Sequence, residues 1–360
     1  MYAGRRENVR SRDAVRSFTS KSTAVFDVAF LTDFARALPT LSPPNVEAAT
    51  LALFRYQARH CPVYAAWLAA LGRDPARVRA VADISFLPIS FFKTHTVQTG
   101  TWAPAEIFRS SATTGLTRAQ HLVRAPAHYR AHATRLWEAT YGSLTRFAFC
   151  ALLPSYLKQG ESSLVAMVDH FARSSGQSTA PFFLQDFAGL LAAVEAAARA
   201  GRTPVLLGVS YALLDLVDAH GPLALPLGTM VMETGGMKGR RREIIREELH
   251  TALTAGLGVS QIHSEYGMTE LLSQAYAPAA GHFRESPWLR LLLRDPEDPL
   301  DVSPTRRSGG LNLIDLANYD TCAFIETQDL ARRNPETGTF EVLGRFDAAD
   351  VRGCNLLVAT

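Results

Sequence analysis

The sequence predicts an α/β protein, with a largely parallel sheet flanked by helices followed by a smaller β-rich segment. Three observations predict it. The middle of the chain alternates short apolar runs with stretches of helical periodicity. Beyond Leu271 the helical pattern stops, and short apolar runs punctuated by Gly and Pro replace it. Hydrophobic residues make up 47% of 360 residues, enough to bury a sizeable core.

The elements follow in order. Roughly the first twenty residues are polar and basic and read as a mobile arm. Residues 25–38 are more apolar and suit a short docking helix. Pro39, Pro43 and Pro44 mark a break. Over 46–71 the pattern is helical, with Leu51, Phe54, Tyr56, Ala58, Trp67 and Leu68 at apolar positions and Pro62 opening a second helix. Residues 147–153 read as a strand, 162–171 as a helix, and 187–200 as an Ala-rich helix closed by Gly201. A strand over 204–207, a helix over 212–219 and a strand over 229–232 come next. A charged amphipathic helix over 240–255 and a strand over 259–263 complete the alternation. A strand over 322–326 falls in the β-rich part. The chain thus divides into an arm (1–45), an α/β core (46–270), a β-rich subdomain (271–343) and a hinge-like tail (344–360).

Several function classes are disfavoured. A net charge of +3 is too mild to argue for nucleic acid. Cys61, Cys150, Cys322 and Cys354 have no C-x-x-C spacing and make no disulfide framework, which fits a reducing, cytoplasmic compartment. The basic N-terminus has no apolar run behind it to act as a secretory signal, and Glu7 and Asp13 count against a transit peptide. The longest apolar run, 61–71, is too short to span a bilayer.

Four segments carry chemistry. The first is Arg109-Ser110-Ser111-Ala112-Thr113-Thr114-Gly115-Leu116-Thr117-Arg118. Its hydroxyls and backbone N–H groups suit phosphate oxygens, and Arg118 suits their charge, although a plain Ser/Thr turn has the same composition. The second is His263-Ser264-Glu265-Tyr266-Gly267-Met268-Thr269-Glu270 at the carboxyl end of a predicted strand, where open α/β sheets bind ligands. Tyr266 offers a ring to a base, Thr269 a hydroxyl to a phosphate, and Glu270 a hard oxygen to Mg2+. A solvated loop with a buried tyrosine is the plainer alternative. The third is Thr327-Gln328-Asp329, where an aspartate at a strand end accepts from ribose hydroxyls or simply caps a turn. The fourth is Leu343-Gly344-Arg345-Phe346-Asp347 with Asp350, Arg352 and Gly353, either a hinge beside a charged ligand or an ordinary charged turn.

Together and in this order the segments resemble the adenylate-forming superfamily of acyl-CoA ligases, firefly-type luciferases and peptide-synthetase adenylation domains. The resemblance implies an N-terminal-type adenylating core that uses ATP and Mg2+. It assigns phosphate binding to Ser110, Ser111, Thr113, Thr114, Gly115 and Arg118, and nucleotide contacts to Gly235, Gly236, Tyr266 and Gly267. Thr269 and Glu270 would act at the α-phosphate and the metal, Asp329 at the ribose, and Arg345 at the hinge. The sequence departs from the family pattern at Ala112, at Arg118 in place of lysine, and near Val351, where a lysine is missing. Thr360 stands seven residues after Gly353, and on this resemblance the expectation is a core lacking the family's mobile C-terminal domain.

One branch is similar over most of the chain: the acyl-protein synthetase of bacterial luminescence fatty-acid reductase. The residues that carry this likeness are Leu87-Pro88-Ile89-Ser90-Phe91-Phe92-Lys93, Leu153-Pro154-Ser155-Tyr156-Leu157 with Ser162-Ser163-Leu164, and Arg352-Gly353-Cys354-Asn355-Leu356-Leu357. It implies a fatty acid substrate, acyl transfer to Cys354 as a thioester, and an acyl-CoA reductase-like partner. Arg352 beside Cys354 favours the thiolate.

Other readings stay open. A ligase could deliver acyl groups directly to CoA or a carrier protein. Gly208-Val209-Ser210-Tyr211-Ala212 follows a strand and precedes a helix, the context of a serine-hydrolase elbow, with His220, His250, His263 and His282 downstream. A non-catalytic nucleotide- or acyl-binding protein is the third. His128 and His132 read as a packed pair rather than metal ligands, Phe182-Phe183 as core, and the 240–246 arginines as a salt-bridged helix face with Glu243, Glu247 and Glu248.

Overall fold

The computed structural model describes residues 28–111, 117–153, 161–237 and 240–346. Helix α1 spans Val28–Ala37 and buries Leu31 and Phe34, as a docking helix should. Helix α2 spans Pro43–His60, starting earlier than the sequence pattern indicated. Pro43 and Pro44 open this helix instead of breaking the chain. A proline in the first turn gives up an N–H that has no helical partner, and the Asn45 side chain accepts the Ser42 N–H. Pro62 opens α3, Pro62–Ala70. Strand β1 is Leu87–Pro88 and α4 is Phe91–Thr94. Strands β2, Glu106–Arg109, and β3, Gln120–Val123, form an antiparallel hairpin around the hydroxyl-rich loop. Helix α5 is Pro126–Tyr141.

The parallel sheet is built from β4, Phe147–Leu152; β5, Thr203–Val209; β6, Met230–Thr234; and β7, Ile262–Tyr266. Helices α6, Ser163–Ser174, and α7, Phe187–Arg199, lie between β4 and β5. Helix α8, Ser210–His220, follows β5, and α9, Arg246–Leu257, follows β6. Strand β8, Ala275–Ala277, adds antiparallel to β7 in the order β4-β5-β6-β7-β8. Every residue of β4 is buried, as expected of a parallel strand covered on both faces.

Two boundaries differ from the sequence reading. The charged helix begins at Arg246, not 240. Arg241 is drawn off by Asp215 and Asp218 of α8, so the 240–245 arginine run packs across a neighbouring helix instead of propagating its own. The last parallel strand begins at Ile262, because Gly258 adopts a left-handed φ of 66° that closes α9.

The antiparallel sheet comprises β9, Phe283–Arg284; β10, Leu289–Arg294; β11, Val302–Ser303; β12, Ser308–Asp315; β13, Phe324–Asn334; and β14, Thr339–Arg345. Its order is β11-β10-β12-β13-β14-β9, with β1 paired parallel to β13. The strand expected over 322–326 therefore runs on to Asn334. Thr327-Gln328-Asp329 lies inside it, not at its end, because β12 and β14 pair with β13 on either side. Buried Arg294 ties three of these strands together through the carbonyls of Leu311 and Thr327 and the Asn312 amide.

Each sheet draws strands from both sides of residue 270. Strand β1, from the N-terminal part, joins the antiparallel sheet, and β8 joins the parallel one. Gln57 of α2 donates to the carbonyls of Asn318 and Tyr319 and accepts from Ala323 N–H. One apolar core runs from Leu31 to Phe340. Gly344 and Arg345 end β14, and residues 347–360 lie outside the described residues. Among the described residues, no helix is long and apolar enough to cross a membrane.

Candidate active site

The hairpin holds the hydroxyl loop by its neck. Ser110 N–H donates to Ala119 O at 3.0 Å, and Ala119 N–H returns a bond to Ser110 Oγ at 2.9 Å. Arg118 Nε donates to Ser110 O at 2.6 Å, and its guanidinium lies 3.8 Å from Glu161. Arg109 pairs with the same carboxylate. Ser110 and Arg118, both named from sequence, thus close the loop, and the Arg118 charge is already shared with Glu161. Ser111 is exposed at the start of the crown. Ala112, Thr113, Thr114 and Gly115 lie outside the described residues.

The second segment occupies the end of β7 and the turn after it. Tyr266 donates its hydroxyl to Asp329 Oδ2 at 2.6 Å, and Arg345 Nε lies 3.6 Å from Asp329 Oδ1. Register alone places Asp329 opposite Arg345. Burial pushes the Asp329 carboxyl up, against the pull of Tyr266 and Arg345. Glu270 is 7% exposed, and burial raises it to about 7 while the charges of Arg345 and Lys93 draw it down. Thr269 meets the hairpin, because His121 on β3 places Nδ1 2.8 Å from its carbonyl oxygen. All four sequence segments are therefore joined through their described residues. His121 links the hairpin to the turn, and Tyr266 links the turn to Asp329 and Arg345.

Strand β6 is followed by Gly235 and Gly236, at φ 82° and 155°, conformations that favour glycine. Beneath them lies a buried polar network. Ser210 donates to Glu233 Oε2 at 3.2 Å, and Arg246 and His250 approach Glu233 Oε1 at 3.3 and 3.6 Å. Burial opposes the Glu233 charge, yet His250 and Arg246 hold its carboxyl below the usual range. On the other face of the sheet Thr234 donates to Glu265, which burial raises to about 7.

The hydrolase elbow is corrected by this arrangement. Ser210 is 2% exposed and begins α8, with its hydroxyl given to a carboxylate instead of an imidazole. His128 and His132 stack at 5.9 Å, and His132 bonds Ser273, which in turn bonds Asp315. Cys61, Cys150 and Cys322 are free and buried, and burial pushes all three thiols up. Cys354 lies outside the described residues, as do Asp347, Asp350, Arg352 and Gly353. A cleft of about 340 Å³ opens beside β13, lined by Pro88, Ser90, Arg294, Glu326, Gln328 and Phe346, but the Arg294 donors are spent on the sheet.

Sequence reasoning did not single out His121, Glu161 or Glu233, and it named Glu265 and Lys93 only inside quoted motifs. A signal for two of them was present, since Glu233 and Glu265 interrupt apolar strand runs, where a charge needs a partner. His121 and Glu161 carried none.

No protein-family model matches the sequence, and no curated protein matches it. Among solved structures it is similar to an ATP-bound chimera of RpMatB and BxBclM, at 17% identity and TM-score 0.44 over 68% of this chain and 49% of that one. MatB from Rhodopseudomonas palustris without ligand gives 18%, 0.44, 67% and 47%. CmiS6 gives 14%, 0.34, 60% and 57%. The chain spans about half the length of the first two. Likenesses of this extent do not bear on function.

Proposed function

We propose that the chain activates a carboxylic acid, of the fatty class, with ATP, and that the acyl group then passes to a thiol. The observation that carries this reading is the convergence of the hydroxyl-loop hairpin, the 266–270 turn and Asp329–Arg345 on one another. Asp329 offers two acceptor oxygens to the ribose hydroxyls, and Tyr266 and Arg345 hold it. Gly235, Gly236 and Gly267 let the backbone approach the nucleotide closely. The loop hydroxyls of Ser110, Ser111, Thr113 and Thr114, with Gly115 and Arg118, take the β- and γ-phosphates, and Thr269 takes the α-phosphate.

Glu270 is the residue suited to Mg2+. Such ions sit on one or two carboxylates plus substrate phosphates, so no all-protein cage is required, and none of three or more acidic, His or Cys ligands exists among the described residues. An ion held there by Glu270 would neutralise phosphate charge. The chain's own groups do the rest. They hold the acid oxygen in line with the α-phosphorus and offset the charge of the pentavalent state. The new O–P bond forms as the bond to the bridging oxygen breaks, and pyrophosphate leaves with that electron pair. A thiolate, of Cys354 or of an outside acceptor, then attacks the acyl carbonyl and expels AMP. A reductase-like protein would take the thioester onward.

Carboxylate-dependent exchange of labelled pyrophosphate into ATP, over acids of graded chain length, tests the activation step. Exchange that saturates with an acid is expected. Its absence with every acid at saturating Mg2+ and ATP would sink the reading.

A further inference from the structure

His121 is fully buried, at 0% exposure, three positions beyond Arg118 and opposite Phe108 in the hairpin ladder. Its ring reaches away from the hairpin to two partners on different elements. Nδ1 lies 2.8 Å from Thr269 O, and Nε2 lies 3.1 Å from Thr321 Oγ1. A carbonyl can only accept, so Nδ1 carries the hydrogen. Burial lowers the imidazole to about 4, leaving the ring neutral, so Nε2 accepts from the Thr321 hydroxyl. The edge of the ring packs against Phe92, with centroids 5.7 Å apart, on the helix that carries Lys93. Each polar atom of His121 is thus spent, and its rotation is blocked.

The next carbonyl is fixed in the same way. Asn318 Nδ2 donates to Glu270 O at 2.8 Å, and Asp315 accepts the N–H groups of Leu272 and Ser273. The turn is therefore clamped from the β-rich side by Asn318 and Asp315. His121 clamps it from the hairpin side.

We infer that His121 is a positioning residue, a rigid brace that sets the spacing between the phosphate hairpin and the Thr269–Glu270 pair. The functional half of this inference rests on the adenylation reading, and the structural half does not. A phosphate loop and a metal carboxylate must grip the same triphosphate. A displacement of one against the other on the order of 1 Å costs about a hundredfold in rate.

The test uses the full chain with His121→Leu, which keeps bulk but loses both bonds, and His121→Asn, whose amide N–H can take the place of Nδ1. Expected for the Leu variant is a kcat loss in pyrophosphate exchange of about a hundredfold, with the KM for the acid little changed. The Asn variant should recover most of that loss. Amide hydrogen exchange across 266–272 should quicken in the Leu variant and stay near wild type in the Asn variant, without ligand present. Equal losses in both variants that track their melting temperatures would overturn the brace, as would unchanged hydrogen exchange in the Leu variant. If wild-type protein shows no pyrophosphate exchange, the adenylation reading fails by itself, and hydrogen exchange alone decides the brace.

Discussion

Tyr266 and Asp329 stand 63 positions apart in sequence and share a hydrogen bond of 2.6 Å. The contact joins the end of the parallel sheet to the middle of the antiparallel one, so an aspartate inside a strand comes to face the carboxyl end of a strand in another sheet. Tyr266→Phe should loosen this carboxylate without removing it. A hydrogen bond to a charged group contributes about 1.5–3 kcal/mol, so Asp329→Ala should raise the KM for ATP about ten- to hundredfold and leave that for the acid nearly unchanged. Tyr266→Phe should show a smaller rise in the same direction. Initial-rate kinetics with each substrate varied in turn measure both.

Why Asp329 could be named but misplaced follows from what a single chain displays. Local patterns were legible. The apolar run at Phe147–Leu152 and the alanine-rich stretch at Phe187–Arg199 appear almost where periodicity put them. Pairing partners were not, since β13 owes its length to β12 and β14 on either side, and the 240–245 segment loses its helix to carboxylates on α8. The site followed the same division. Residue types with obvious chemistry, such as Thr269, Glu270 and Asp329, stood out in their motifs. His121 and Glu161 act through contacts 148 and 52 positions away and carried no local mark.

Glu270 should make the protein more stable in acid than its function would ask. Its folded value, raised to about 7 by burial, lies above the ordinary carboxylate value of 4.5. Between these limits the folded state binds more protons than the unfolded one, so its contribution is fully present below about 4.5 and is lost as pH rises through about 7. Glu270→Gln removes the ionisation. At pH 8 it should stabilise the metal-free protein by on the order of 1–3 kcal/mol while abolishing Mg2+-dependent exchange. Urea melts at pH 5 and pH 8 check the sign; a variant less stable than wild type at pH 8 would contradict it.

Lys93 supplies a second lever on the same carboxylate. Its charge lowers the Glu270 value, and its side chain is exposed on the short helix next to the site. Arg118, by contrast, shares its charge with Glu161. Lys93→Met should therefore move the acid limb of the exchange profile to higher pH, and Arg118→Met should leave that limb in place. Both should weaken ATP binding. Profiles of kcat/KM against pH for the two variants separate the roles, and an identical shift in both would refute the assignment.

The proposed thiol acceptor can be tested by elimination. Cys61, Cys150 and Cys322 are buried and their thiols are pushed up, so at neutral pH they are poor nucleophiles. Protein incubated with ATP, Mg2+ and a labelled acid should retain label that neutral hydroxylamine removes. Conservative changes at the three buried positions, each checked for folding, should leave that label in place, whereas Cys354→Ser should abolish it. Cys354→Ser should also keep full pyrophosphate exchange, because exchange precedes the thiol step. Label that survives in Cys354→Ser would assign the acyl group elsewhere. Label absent from wild type that still exchanges pyrophosphate would point to CoA or a carrier protein as the acceptor, and adding each in turn would show which one takes it.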